Sequence, residues 1–303
     1  MNDCLDNNDI KEKEIRKTTY IGLFVNIVLT ILKITIGLFS SSSSVVADGI
    51  HSLSDCSTDI AVLIGVKYWN RPPDEDHPYG HRRIETMITV SIGLVLGLAG
   101  LTLVYEAVSK IHNGTYTVPG WSALIIALIS IFVKEFLFRY TMKKAIQSKS
   151  SAMKANAWHH RSDSISSIPV ALAVSITQYD ASWALLDPIA SIAVSFFILQ
   201  AAFSISWPSL RQLSDLGANK KSIKSIEEIA LNVEGVQSVH CVRTRFYGSA
   251  LYIDLHLMVD PDITVEQGHS IAGHGKHHLL TDGPDIVDVL IHVEPGKRVN
   301  REQ

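Results

Sequence analysis

The chain has 303 residues, 47% of them hydrophobic and 19% charged, with a net charge of -3 and a mean hydropathy of +0.19. That much apolar surface excludes intrinsic disorder, and three scattered cysteines, Cys4, Cys56 and Cys241, exclude a disulfide-dense scaffold. A pI near 6.5 gives no basis for nucleic-acid binding.

Residues 1–17 are polar and charged, so the chain opens on a soluble N-terminal arm rather than a cleavable signal peptide. Six segments then approach the ~20 apolar residues a membrane-spanning helix needs. They are Tyr20 to Ser40, Ser44 to Tyr68, Ile84 to Val108, Val118 to Phe138, Ala155 to Thr177 with Pro169 inside it, and Ile189 to Leu210. The connections sort by charge. The arm, the second-to-third loop (Lys67, Arg71, Arg82, Arg83) and the fourth-to-fifth connection (Arg139, Lys143, Lys144, Lys149, Lys154) are basic. Ser41 to Ser43, His112 to Gly120 and Gln178 to Pro188 contain no Lys or Arg. The positive-inside bias therefore places the basic set and both termini in the cytoplasm.

After Leu210 the pattern changes. Lys220 to Asn232 reads as an amphipathic helix, Gln237 to Tyr247 and Ala250 to Val259 as strands around a Gly248-Ser249 turn, Thr264 to Leu280 as a helix and Ile286 to Val293 as a third strand. The second strand alternates. Leu251, Ile253, Leu255, Leu257 and Val259 share one face, and Tyr252, Asp254, His256 and Met258 share the other. The expected organisation is an arm over 1–17, an all-α domain of six transmembrane helices over 18–212, and a cytoplasmic α+β domain of order α-β-β-α-β over 213–303.

Ionisable residues at membrane depth are costly and face a cavity or a partner. The second span carries Asp48, His51, Asp55 and Asp59, which at ~100° per residue fall within about 80° of one face. Asp48 also fits a helix cap, and Asp59 a bundle-interior residue bonded to a hydroxyl. The fifth span carries His159 and Asp163. His51/Asp55 and His159/Asp163 are both i, i+4 pairs, so each helix turn presents an imidazole beside a carboxylate. Two facing pairs supply two nitrogens and two oxygens, a tetrahedral set suited to Zn²⁺. Without sulfur, and open to protonation, the set suits a transport site better than a structural one.

Two further groups lie outside the spans. The second-to-third loop reads Asp74-Glu75-Asp76-His77-Pro78-Tyr79-Gly80-His81, in which Asp74, His77 and His81 are spaced to close around a metal. The tail holds seven of the thirteen histidines, His240, His256, His269, His274, His277, His278 and His292, together with Glu294. His274 and His278 form another i, i+4 pair. Clustering on several elements of one small domain points to metal binding.

Together these features resemble the cation diffusion facilitators, dimeric proton-coupled exporters of divalent metals. The resemblance covers nearly the whole chain. It implies a metallochaperone-like, ferredoxin-like tail and transport ligands His51, Asp55, His159 and Asp163. It further implies a loop site at Asp74, His77 and His81, and a binuclear tail site at His240, His256, His269 and His292. Glu294 stands where close relatives carry a bridging Asp. A charge interlock would set Arg83 against Asp215. Asp48 takes a metal-entry or proton role on this view, and Asp59, His274 and His278 stay as accessory candidates.

The two-His, two-carboxylate set departs from the Asp/Asp and Asn/Asp pairs of manganese-exporting members and resembles zinc-selective ones. Zn²⁺ is thus the expected substrate and regulatory ligand rather than a cofactor, with Fe²⁺, Cd²⁺ and Co²⁺ as alternatives. The expected function is proton-coupled Zn²⁺ export by a homodimer in a lipid bilayer. The plasma membrane is favoured because a long His-rich loop between spans four and five is absent. A non-transporting membrane metal sensor is the rival. A metallohydrolase is disfavoured, since H-E-x-x-H is absent and four ligands leave no open position.

Overall fold

The computed structural model describes residues 2–69, 71–148, 151–248 and 250–296, but not the side chains of residues 2–16, 19, 58–67, 148, 151–153 and 155. Asp59 and Ser249 of the expected features therefore lie outside the description. The chain forms two compact units. One comprises residues up to Leu63 together with Ser91–Ser206. The other joins Ile64–Val90 to the segment from Trp207 onward, so the second-to-third loop clusters with the tail.

The helical unit is built from α1 (Asn2–Phe39), α2 (Ser43–Trp69), α3 (Arg83–Asn113), α4 (Trp121–Ser148), α5 (Ser151–Ser166), α6 (Ile168–Tyr179) and α7 (Leu186–Leu213), with α2, α3 and α7 running on into the second unit. The polar arm is the first part of α1, continuous with the first span. Among the described residues, Tyr20–Phe39, Arg83–Asn113, Trp121–Gln147 and Ala181–Leu213 are long and apolar enough to cross a membrane. The remaining two segments, α2 and α5–α6, hold the paired histidines and carboxylates, which lower their hydropathy. Large apolar side chains point outward, including Phe24, Leu94, Tyr105, Phe132, Phe136, Phe196 and Phe203. In water such a surface would drive association; in a bilayer it is solvated by lipid. Small and branched residues fill the interior, where Val45, Ala47, Leu103, Ala123, Ile126, Val170, Val174, Val194 and Ile198 form one cluster.

Two local features position the polar residues. The first is the junction at Ser167 between α5 and α6. Pro169 lies in the first turn of α6 and lacks one ladder N–H, while Ser167 keeps helical angles and donates its N–H to the Asp163 carbonyl at 3.2 Å. The second is the start of α2. Asp187 of α7 accepts from Ser43 N (2.6 Å), Ser44 N (3.3 Å) and the hydroxyls of Ser42 and Ser44 (both 2.6 Å). A carboxylate at a helix N-terminus satisfies orphan donors and complements the dipole. The cap, for which Asp48 was one candidate, comes from a distant helix. Asp187→Ala should lower stability by about 2 kcal/mol, the upper end of N-cap losses, in thermal unfolding of the detergent-solubilised protein.

The second unit contains α8 (Lys220–Leu231), β1 (Ser238–Tyr247), β2 (Ala250–Val259), α9 (Val265–Asp282) and β3 (Ile286–Pro295). The sheet order is β1-β2-β3, antiparallel then parallel. The alternation of β2 is realised: Leu251, Ile253, Leu255, Leu257 and Val259 are all buried. All but Val259 share a core with Ile226 and Ala230 of α8 and Leu279 of α9. Both helices thus cover one face of the sheet and leave the other open. Thr264 and Gln267 cap α9 reciprocally, and Gly248 takes the φ of +65° that the β1–β2 turn requires. β1 carries a bulge. His240 pairs with His256 and Arg243 with Asp254, so Cys241 and Val242 together oppose Leu255.

Candidate metal sites

Three of the four sequence-predicted intramembrane ligands meet, and His159 lies beside them. His51 and Asp55, one turn apart on α2, face Asp163 on α5, with ligand atoms of all three within 4.8 Å of one another. His159 stands between the two carboxylates, its Nε2 3.6 Å from Asp55 Oδ1 and its Nδ1 3.8 Å from Asp163 Oδ1. These gaps are too long for hydrogen bonds. An imidazole gives one nitrogen to a given ion, so His159 stands beside the cluster of His51, Asp55 and Asp163 rather than within it. His51 Nδ1 is buried and has no hydrogen-bond partner, which is costly for a polar atom that serves only packing.

Lys134 of α4 is a member of this site that sequence reasoning did not assign. Its ammonium donates to Asp163 Oδ2 at 2.7 Å, and both side chains are buried. Asp163 thus gives one oxygen to the lysine and turns the other toward His159. A second buried pair lies alongside. Lys33 of α1 reaches Asp48 at 2.8 Å and also donates to Ser52, while Ser167 donates to both Asp48 oxygens. Asp48, expected as an accessory on the ligand face, is committed to Lys33 and Ser167 and joins no metal cluster among the described residues.

The loop residues also converge. Asp74 lies 3.3 Å from both His77 Nδ1 and His81 Nε2, and the two rings are 4.4 Å apart. The His77 backbone N–H donates to Asp74 at 2.7 Å and is the main reason its carboxyl is held below the usual range. Asp74 therefore stays an anion through the range in which imidazoles exchange protons. Arg83 meets Asp215 at 2.9 Å, as expected. Both are well exposed, so the pair fixes geometry more than it adds stability.

In the tail, strand register does the work. His240 pairs with His256 across β1–β2, and His256 with His292 across β2–β3. The three imidazoles form a row on the open face. Glu294 reaches all of them: His256 at 2.8 Å, His240 at 3.2 Å and His292 at 3.5 Å. His269, His274 and His278 join none of these clusters among the described residues. His274 and His278 stand on α9, which packs on the apolar face of the sheet, while His269 lines a cavity together with Glu294. His278 pairs with Asp282 at 3.1 Å instead. Conversely, Cys241 comes within ligand distance of His240 and His256, although alternation would place it on the opposite face from His240.

Residues 19–214 match the cation efflux transmembrane domain, and residues 218–296 match the cytoplasmic domain of cation efflux proteins. The chain belongs to the cation efflux, or cation diffusion facilitator, family. Two relatives are matched over nearly their whole length. The manganese efflux system protein MneP of Bacillus subtilis is 33% identical over 94% of this chain and 97% of its own. An uncharacterized transporter of Methanocaldococcus jannaschii is 35% identical over 88% and 94%. A solved MamM C-terminal domain is 27% identical, covering 26% of this chain and 94% of that one, with a TM-score of 0.25. This cation efflux protein is accordingly a membrane transporter of metal ions, from a family of transporters rather than enzymes.

Proposed function

We propose that the protein exports Zn²⁺ from the cytoplasm in exchange for protons, with His51, Asp55, His159 and Asp163 as the transport ligands. The observation that carries this reading is the convergence of His51, Asp55 and Asp163 inside the helical unit, with His159 beside both carboxylates. Zn²⁺ is borderline-soft and accepts such a set in four-coordination, whereas Mn²⁺ favours more oxygens.

Metal entering from the cytoplasm meets neutral imidazoles and ionised carboxylates. Helix rocking then exposes the site to the far side. There protons compete for the same atoms, metal leaves, and the protonated site returns. Exchange follows from linkage, because ligands must lose protons to bind metal. The protein works as a homodimer joined through its cytoplasmic domains, in the plasma membrane with both termini inside. Metal at the loop triad and the tail row biases the transport equilibrium only to the extent that it binds one state more tightly.

The test is metal-driven proton movement in proteoliposomes with Zn²⁺, Cd²⁺, anaerobic Fe²⁺ and Mn²⁺. Zn²⁺ should drive proton flux in the wild type and none in Asp55→Ala. MneP is named for manganese, so faster flux with Mn²⁺ than with Zn²⁺ would replace the substrate while keeping the site. Absence of flux with every metal would leave the sensor reading.

A further inference from the structure

We propose that Cys241 is a metal ligand, its thiolate joining His240 and His256 to hold a thiophilic divalent cation such as Zn²⁺ or Cd²⁺ on the open face of the cytoplasmic sheet. In a regular strand, neighbouring residues point to opposite faces, so His240 and Cys241 could not share a ligand. Here they do, because the β1 bulge inserts an extra residue and re-aims the side chain. The ligand atoms of Cys241, His240 and His256 all lie within 4.8 Å of one another. Cys241 sits at φ +51°, a backbone region where glycine is the low-cost residue. A thiol-bearing residue held in this conformation serves no packing purpose, since Cys241 is exposed and in no disulfide.

The histidines are prepared for the same ion. His240 directs Nε2 toward Glu294, and its Nδ1 is buried without a hydrogen-bond partner. His256 directs Nδ1 toward Glu294, leaving Nε2. It also belongs to the second cluster with His292 and Glu294. The open face thus offers two adjoining positions, one with sulfur and nitrogen donors, the other with nitrogen and oxygen. Soft thiolate selects Zn²⁺ or Cd²⁺ over Mn²⁺. As the sulfur–metal bond forms, the S–H bond breaks and its proton passes to solvent. The inference does not depend on which ion crosses the membrane.

The experiment is alkylation of Cys241 by iodoacetamide in the full-length detergent-solubilised protein, followed on its own peptide by mass spectrometry. Only free thiolate reacts, so Zn²⁺ or Cd²⁺ should slow modification by at least about tenfold and Mn²⁺ should not. His256→Ala should remove the protection. Equal rates with and without Zn²⁺, or protection that survives His256→Ala, would overturn the assignment. As a check independent of that variant, Cd²⁺ should give a thiolate charge-transfer band in the wild type that Cys241→Ser diminishes. An unchanged band would equally sink the proposal. Zinc flux in Cys241→Ser separates the two readings: it should persist, because this site lies outside the helical unit.

Discussion

Asp163→Ala should abolish zinc-driven proton flux and also destabilise the helical unit by about 3–5 kcal/mol, the cost of leaving one partner of a buried ion pair alone. Both effects come from one side chain. Its Oδ1 faces His159, and its Oδ2 holds the buried Lys134 ammonium at 2.7 Å. The double variant Asp163→Ala/Lys134→Met removes the stranded charge as well. It should regain most of the stability, as replaced buried pairs commonly do, and still transport nothing. Lys134→Met alone leaves two carboxylates, Asp55 and Asp163, without the lysine. Zn²⁺ can supply the missing positive charge, so it should raise the melting temperature of this variant more than that of the wild type. Thermal unfolding with and without Zn²⁺, beside the flux assay, measures all three. Normal flux in Asp163→Ala would move the transport site elsewhere. A double variant no more stable than the single would deny the ion pair its structural part.

What could be read from the sequence followed from periodicity within one element. The pairs His51/Asp55 and His159/Asp163 are visible because i, i+4 residues share a helix face. The buried face of β2 is visible because its period is two. Pro169 marks the boundary between α5 and α6. Partnerships between elements leave no such trace. Lys33 and Lys134 read as interruptions of apolar spans, and only the packing of α1 on α2 and α4 on α5 turns them into counter-ions for Asp48 and Asp163. The histidines of α9 count toward the tail's composition, yet composition does not say which face of the sheet a helix covers. His269, expected in the binuclear site, joins no cluster with His240, His256 and His292 among the described residues but shares a cavity with Glu294. Cys241 was hidden for the opposite reason. The bulge in β1 that brings Cys241 beside His240 has no signature in the sequence beyond the residues it rearranges.

Lys33→Met should destabilise the helical unit about as much as loss of Asp163, because it strands the buried Asp48 carboxylate. The double variant Lys33→Met/Asp48→Leu should be near wild type in stability, and here transport should be kept. Ser167 loses Asp48 as an acceptor but retains the Asp163 carbonyl at 3.2 Å. Ser52 can turn its hydroxyl to the carbonyl one helical turn back. The two lysine–aspartate pairs thus look alike energetically and differ in function. Neutralising both partners should restore folding in each case, but flux only where the carboxylate is not a ligand. A folded Lys33→Met/Asp48→Leu protein without zinc flux would contradict this. It would return Asp48 to the ion pathway, consistent with its place on the same face of α2 as His51 and Asp55, and would make Lys33 its gatekeeper rather than its structural counter-charge.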